Sequence, residues 1–534
     1  MSDEKSNGSL KYKFFQQRHP DYNEDYWSRC RVFYKGGQAL LENDSMMNRV
    51  FPRHRNEALS IYELRKSRAH YTNYAGEIID ELIAKLNSDP LRLECKDDTE
   101  FYENFMNNCA PPGAKPYRFG DLLQNVLLTA MQCGRGWVLA DMPPADPMNA
   151  AVSLAEQEMS GALNAWCVEV QPESVIDWEV DENGVLTWAL LCYKSQKRDG
   201  IAGDRGMIKE CYIYYTAKTW AKWEVVYKKD KPPKEEDDIQ LVDGGYHNFK
   251  RVPLMQMDLP DGLWAMGKLE SLAREHFNKR CALSWAEFRA LFPVLYEFHD
   301  NSPENQAFGG EGGDIDRAHT QGRSAGHMQV RNSGDRVEWA SPPSESFTHA
   351  LESCSSIRDE MHRVVHQMAR SADMNKAAIR RSGESKAQDE NATNIVLEAL
   401  GDLIREYAKN LIVMIGNGRG DKDLDWLATG LSSFQQGTLS SLLEQEALLD
   451  ATIEIPSSTF KKTRKFLIAK KILGDAIREK DLEIIKKEIE GAYSQEEELN
   501  KLMLGGETGG SFDPEPAPSV VRPSVPGSSK GKEE

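Results

Sequence analysis

Two long amphipathic segments, held apart by a stretch that reads as strand and glycine-rich loop, constrain this chain more than any other feature. The first, LWAMGKLESLAREHFNKRCALSWAEFRALF, starts at Leu263 and carries apolar residues at helical spacing with no proline until Pro293. The second, SESFTHALESCSSIRDEMHRVVHQMAR, runs over 344–370. Between them PVLYEF reads as a strand, 301–327 is rich in Gly, Asn, Ser and Asp, and HMQVRNSGDRVEWASPP reads as strand-turn-strand around Asn332-Ser333-Gly334. An excursion of this kind returns the chain to where it left, so the two helices are predicted to pack antiparallel. A long glycine-rich loop inside such a module usually carries function or is disordered.

A third helix is clearer still. Ile395, Val396, Ala399, Leu400, Leu403, Ile404, Tyr407, Ala408, Leu411, Ile412 and Ile415 hold one face, and Gly416-Asn417-Gly418 is the expected stop. Ser385 with Gln388 fits a capping box, and Asp389 and Glu390 suit the first turn. Lys376, Arg380 and Arg381, in the stretch KAAIRRSGESKAQDE, therefore lie on a loop before that helix. Earlier in the chain, 56–88 and 119–133 show helical periodicity, whereas 165–255 is β-rich, with TWALLCYK, ECYIYYTA and KWEVVYKK separated by DENG and DGG. A helical pair, FKKTRKFLIAKKILG and DAIREKDLEIIKKEIEGAY, precedes a tail whose composition offers little apolar surface to bury.

A chain of 534 residues, 40% hydrophobic and 28% charged, is too long for one core, and about 2 to 4 domains are expected. No apolar run reaches the ~18 residues a membrane helix needs, and MSDEKSNGSLKYKF lacks the apolar centre of a secretory signal. The expectation is assembly in the cytoplasm without a membrane. Cys30, Cys95, Cys109, Cys133, Cys167, Cys192, Cys211, Cys281 and Cys354 form no CxxC pair and read as reduced, mostly buried thiols. A formal net charge of -18 argues against gripping nucleic acid over a broad surface, since that affinity comes from Lys and Arg displacing counterions. Guiding DNA differs from gripping it. A conduit is served by repulsive walls with cations at a few contact points.

Individual motifs point to no chemistry. His362 and His366 lie one helical turn apart, a spacing that can bind zinc, but Arg363 stands where an HExxH motif needs its general-base Glu. GRG at 134–136 belongs to no GxxxxGK[ST] or GxGxxG pattern and reads as a tight helix-to-strand turn. No GxSxG occurs. The chain is expected not to be an enzyme and to need no cofactor. The basic run KKTRKFLIAKK at 461–471 is offset by Asp475, Glu479, Asp481, Glu483, Glu488 and Glu490, which favours a solvated face of a helical hairpin. Arg380 and Arg381, taken alone, would likewise be a solvated loop.

The order of the pieces says more than any one of them. HPDYNEDYWSRCRVFYKGG, VFPRHRNEALSIYELRKSRAHYTNYAGEIIDELIAKL, LTAMQCGRGWVLADMP, PESVIDWEVDENGVLTWAL, RVPL, MGKLESLAREHFNKRCALSWAEFRALFPVL and SGESKAQDENATNIVLEAL follow one another in the manner of the portal proteins of tailed double-stranded DNA bacteriophages, which the chain resembles over roughly 20–500. The resemblance implies a predominantly helical α+β fold with wing, two-helix stem, clip and small helical crown. Carried onto this sequence, 1–262 is most of the wing, 263–291 and 344–370 the stem helices, 292–343 the clip and 371–385 the tunnel loop. The long wing helix and the rest of the wing then fall in 386–460, the crown in 461–504 and a disordered tail in 505–534. It also implies a ring, usually of twelve subunits, at the capsid vertex of the virion, through which DNA enters and leaves. Implied partners are the terminase large subunit, head-completion or adaptor proteins, and the major capsid or scaffolding protein. Lys376, Arg380, Arg381 and Lys386 would face DNA in the channel, and Arg317, Arg323, Arg331, Asp335 and Arg336 of the clip would dock terminase or adaptor. The alternatives are a nucleic-acid-binding protein using 461–471 and a metal-dependent hydrolase using His362 and His366.

Overall fold

The computed structural model describes residues 9–95, 100–143, 154–159, 161–195, 208–227, 234–235, 237–290, 294–298, 336–340, 344–373, 385–421, 426–431, 434, 462–466, 484–489 and 491. The chain divides into two units, Met1–Phe434 and Gln435–Glu534. The described parts of the second, 462–466 and 484–489, are helical.

The first unit has a mixed α+β fold. It contains helices α1 (Glu24–Lys35), α2 (Gly37–Leu41), α3 (Asp44–Val50), α4 (Leu59–Ser67), α5 (Tyr74–Leu86), α6 (Glu100–Asn107), α7 (Phe119–Cys133), α8 (Leu154–Met159), α9 (Ala265–Ala290), α10 (Ser344–Asp373) and α11 (Ser385–Arg419). Asparagine side chains start three of them: Asn23, Asn43 and Asn73 each accept a hydrogen bond from a backbone N–H of the first turn, at 3.2, 3.1 and 2.9 Å. The strands are β1 (Ser9–Lys11), β2 (Arg92–Cys95), β3 (Arg135–Asp141), β4 (Trp166–Val170), β5 (Val175–Val180), β6 (Leu186–Ser195), β7 (Lys209–Thr216), β8 (Thr219–Val226), β9 (Asp238–Tyr246), β10 (Leu254–Asp258), β11 (Val294–Phe298), β12 (Arg336–Ala340) and β13 (Trp426–Thr429).

The β-rich region forms a six-stranded antiparallel sheet in the order β1-β9-β8-β7-β6-β5 and a three-stranded one in the order β10-β3-β4. Its aromatic richness follows from burial on both faces. Ala189, Leu191, Ile213 and Tyr215 point to one side, where they meet Trp137 of β3 and Trp178, while Leu190, Cys192, Tyr212 and Tyr214 point to the other, where Tyr12 and Phe15 lie. Successive residues of a strand face opposite ways, so a strand covered twice cannot show the apolar/polar alternation of a one-sided sheet.

The helices share a larger core in which α1, α3, α5, α6, α7, α9, α10 and α11 all place buried side chains, among them Phe33, Ile79, Val126, Phe277, Met361 and Leu411. The GRG turn is a helix-to-strand turn, as read from the sequence. Gly134 caps α7 with φ +83°, and a Cβ there would meet the Trp264 ring at 3.2 Å. Eight cysteines are free thiols, six of them buried; the Cys95 side chain lies outside the described residues.

One expectation is corrected. The third long helix does not stop at Gly416-Asn417-Gly418 but continues to Arg419. Gly416 and Gly418 serve packing: a Cβ on them would lie 3.0 Å from the Tyr102 hydroxyl and 2.6 Å from the Phe249 ring. The true cap is Gly420 at φ +82°, where Gly420 N–H donates to Asn417 and Asp421 N–H to Gly416, the Schellman pattern. The described partner of β12 is β11, with Val294 opposite Ala340 and Phe298 opposite Arg336. The partner expected from 328–331 lies outside the described residues.

Candidate functional site

The β11–β12 ribbon sets the geometry of the candidate site. Its antiparallel register brings the chain leaving α9 beside the chain entering α10, with Phe298 next to Arg336. The helices on either side pack on each other. On α9 the row Ala265, Leu269, Ala273, Phe277 and Cys281 is buried and spaced by four, with Phe277 against Phe33, Phe51 and Tyr71. On α10 the buried row is Cys354, Ile357, Met361, Val364, Met368 and Ala372, at the spacing of three or four that keeps one helix face inward. Lys279 Nζ donates to Ser353 Oγ at 3.0 Å across the seam. Helices of 26 and 30 residues extend about 39 and 45 Å.

The lower part of this pair is fastened to the rest of the unit. Asn278 donates to the Val50 carbonyl at 3.0 Å, Trp264 Nε1 to Gln132 at 3.2 Å, and Gly262 lies so close to Ser371 that a Cβ would be 2.4 Å away. Glu270 of α9, only 3% exposed, sits between Arg29 and Arg274 at 3.4 Å from each. The open face of α10 changes sign along its length, from Glu345, Glu352, Asp359 and Glu360 to Arg363 and Arg370. That arrangement suits the helix dipole, which favours acids early and bases late.

The candidate cations are bracketed by these elements. Lys376, Arg380 and Arg381 fall in 374–384, between the end of α10 and the start of α11, and lie outside the described residues. The preceding helix ends at Asp373, not 370, and α11 begins at Ser385, so Lys386 is in its first turn; its side chain, like those of the Ser385–Gln388 capping pair, is not among those described. Arg317, Arg323, Arg331 and Asp335 also lie outside the described residues, and of Arg336 the backbone is placed, opposite Phe298 in the ribbon. His362 is exposed on α10 with its ring 6.3 Å from Tyr74. Among the described residues no group of three or more His, Cys, Asp or Glu side chains gathers to hold a metal. No described helix is long and apolar enough to cross a membrane.

Two buried polar clusters escaped the sequence reading. Glu210 of β7 accepts from the hydroxyls of Tyr12 at 3.1 Å and Tyr227 at 2.8 Å and pairs with Lys194 at 3.1 Å. Arg419 donates to the Leu163 carbonyl and Glu158 at 2.7 Å and to Asp421 at 3.0 Å, with its guanidinium 3.6 Å over the Phe101 ring. Both hold elements distant in sequence together. A cavity of about 440 Å³ lies between α5, β2, α7 and α11, and its polar lining includes Arg92, Arg118, Asp121 and Gln124.

No family model matches the chain, and no curated protein matches it. Among solved structures it is similar to a chain in one described as the neck of an empty GTA particle with C6 symmetry, at 10% identity and a TM-score of 0.36, covering 73% of this chain and 90% of that one. A likeness that distant decides nothing about this chain.

Proposed function

We propose that the chain is a portal protein of a tailed bacteriophage: a ring at one capsid vertex through which double-stranded DNA is packaged and ejected. The observation that carries this reading is the antiparallel pair α9–α10 bearing an excursion closed by the β11–β12 ribbon and followed directly by a basic segment and α11. In this reading α9 and α10 are the stem, 292–343 the clip that docks the terminase large subunit and adaptor proteins, and 461–504 the crown. Lys376, Arg380, Arg381 and Lys386 ring the constriction, while the net charge of -18 keeps the rest of the channel repulsive and the DNA free to slide. The chain works without catalysis and without a cofactor. Arg317, Arg323, Arg331, Asp335 and Arg336 supply charge to the docking surface. Electron microscopy of the purified full-length protein tests the proposal: it calls for rings with a central channel, and a field of monomers would refute it.

A further inference from the structure

His276 lies on the inner side of α9 and is 5% exposed. Its ring meets Tyr74 of α5 edge-on with centroids 5.3 Å apart, and Tyr74 in turn meets the ring of His362 on α10 at 6.3 Å. Three helices thus converge on one tyrosine and two histidines. The charged and titratable groups acting on His276 are Arg280 from its own helix, Arg358 from α10 and His70 from the segment between α4 and α5, with Tyr74 facing it from α5. The neighbouring carboxylates are already engaged, Asp359 by Arg358 at 3.1 Å and Glu275 by Lys279 at 2.7 Å.

We propose that this junction is an acid-sensitive latch: with His276 neutral, α9 and α10 stay closed on α5, and a proton taken up at His276 opens them. An imidazolium here would be buried beside two guanidiniums, and only separation of the helices, which admits water, relieves it. Burial, reinforced by Arg280, Arg358 and His70, holds the histidine below its ordinary pKa. The direction follows. The folded site takes a proton less readily than the unfolded chain, so the stability it contributes is complete above the ordinary histidine range near ~6.5 and is lost as pH falls toward the folded value. The latch belongs to the single chain and does not depend on a ring.

Hydrogen exchange on the full-length protein, corrected for intrinsic rates, tests this between about pH 7.5 and about pH 5.5, the range over which histidine titrates. In the wild type, protection across 265–281 and 354–368 should fall several-fold on acidification. The thermal midpoint should fall about 2 °C or more beyond any fall in His276→Gln and His276→Phe, which should lack the acid step. The Gln variant serves if the Phe variant does not fold. Parallel profiles in wild type and variant, or unchanged protection at the junction, would overturn the proposal.

Discussion

Glu210 shows how a single side chain can hold a sheet together. It is 2% exposed, and burial alone would raise its pKa; bonds from Tyr227, Tyr212 and Lys194 outweigh that and hold the carboxyl below its ordinary value. Its contribution is therefore present above the unfolded carboxylate pKa near ~4.5 and is lost as pH falls further. Glu210→Gln should cost about 1–3 kcal/mol at neutral pH, and a plot of thermal midpoint against pH should fall less steeply in acid than in wild type. Arg419 presents the case with opposite charge. Arg419→Met leaves the Leu163 carbonyl without this donor and Asp421 with the Tyr102 hydroxyl but no guanidinium, and should cost about 3–5 kcal/mol in denaturant unfolding. Neither residue was legible in the sequence. A lone Glu in ECYIYYTA and a lone Arg in GNGRGD resemble any surface charge until strands and loops far apart in sequence bring Tyr12, Tyr227 or Phe101 against them.

Among the elements, helices were the most legible because their evidence is local. The apolar rows of α9, α10 and α11 repeat within a few turns, and the predicted spans lie within a few residues of Ala265–Ala290, Ser344–Asp373 and Ser385–Arg419. Ends were less legible. Three glycines near the end of α11 could each have been its cap, and only packing against Tyr102 and Phe249 shows that two of them serve close approach. Strand partners were the least legible, since pairings such as β13 with β2 and β1 with β9 join distant segments that local pattern cannot connect. The α7–β3 turn offers a direct test. Gly134→Ala would place a Cβ at φ +83° and 3.2 Å from Trp264, and should cost about 1–3 kcal/mol by denaturant unfolding while leaving the circular dichroism spectrum unchanged.

The whole molecule joins an acidic chain to a small basic segment, and the portal reading gives both a purpose. The sequence order made that reading available; the side chains at the constriction and on the clip were named from sequence and lie outside the described residues. Arg380→Glu with Arg381→Glu should leave the ring assembled, because α11 starts after them at Ser385. The same change meets DNA with reversed sign in every subunit, so packaging assays should show slower or shorter filling that eases as salt rises from the physiological range, where the Debye length is ~8 Å. Normal packaging by the double variant would return these arginines to a solvated loop. The central claim is the ring itself, since a stem that lines a channel needs neighbours to close it. Size exclusion with multi-angle light scattering on the full-length protein at micromolar concentration and moderate salt tests it most directly. A single species of about a dozen subunits is the predicted result, and a stable monomer would contradict it.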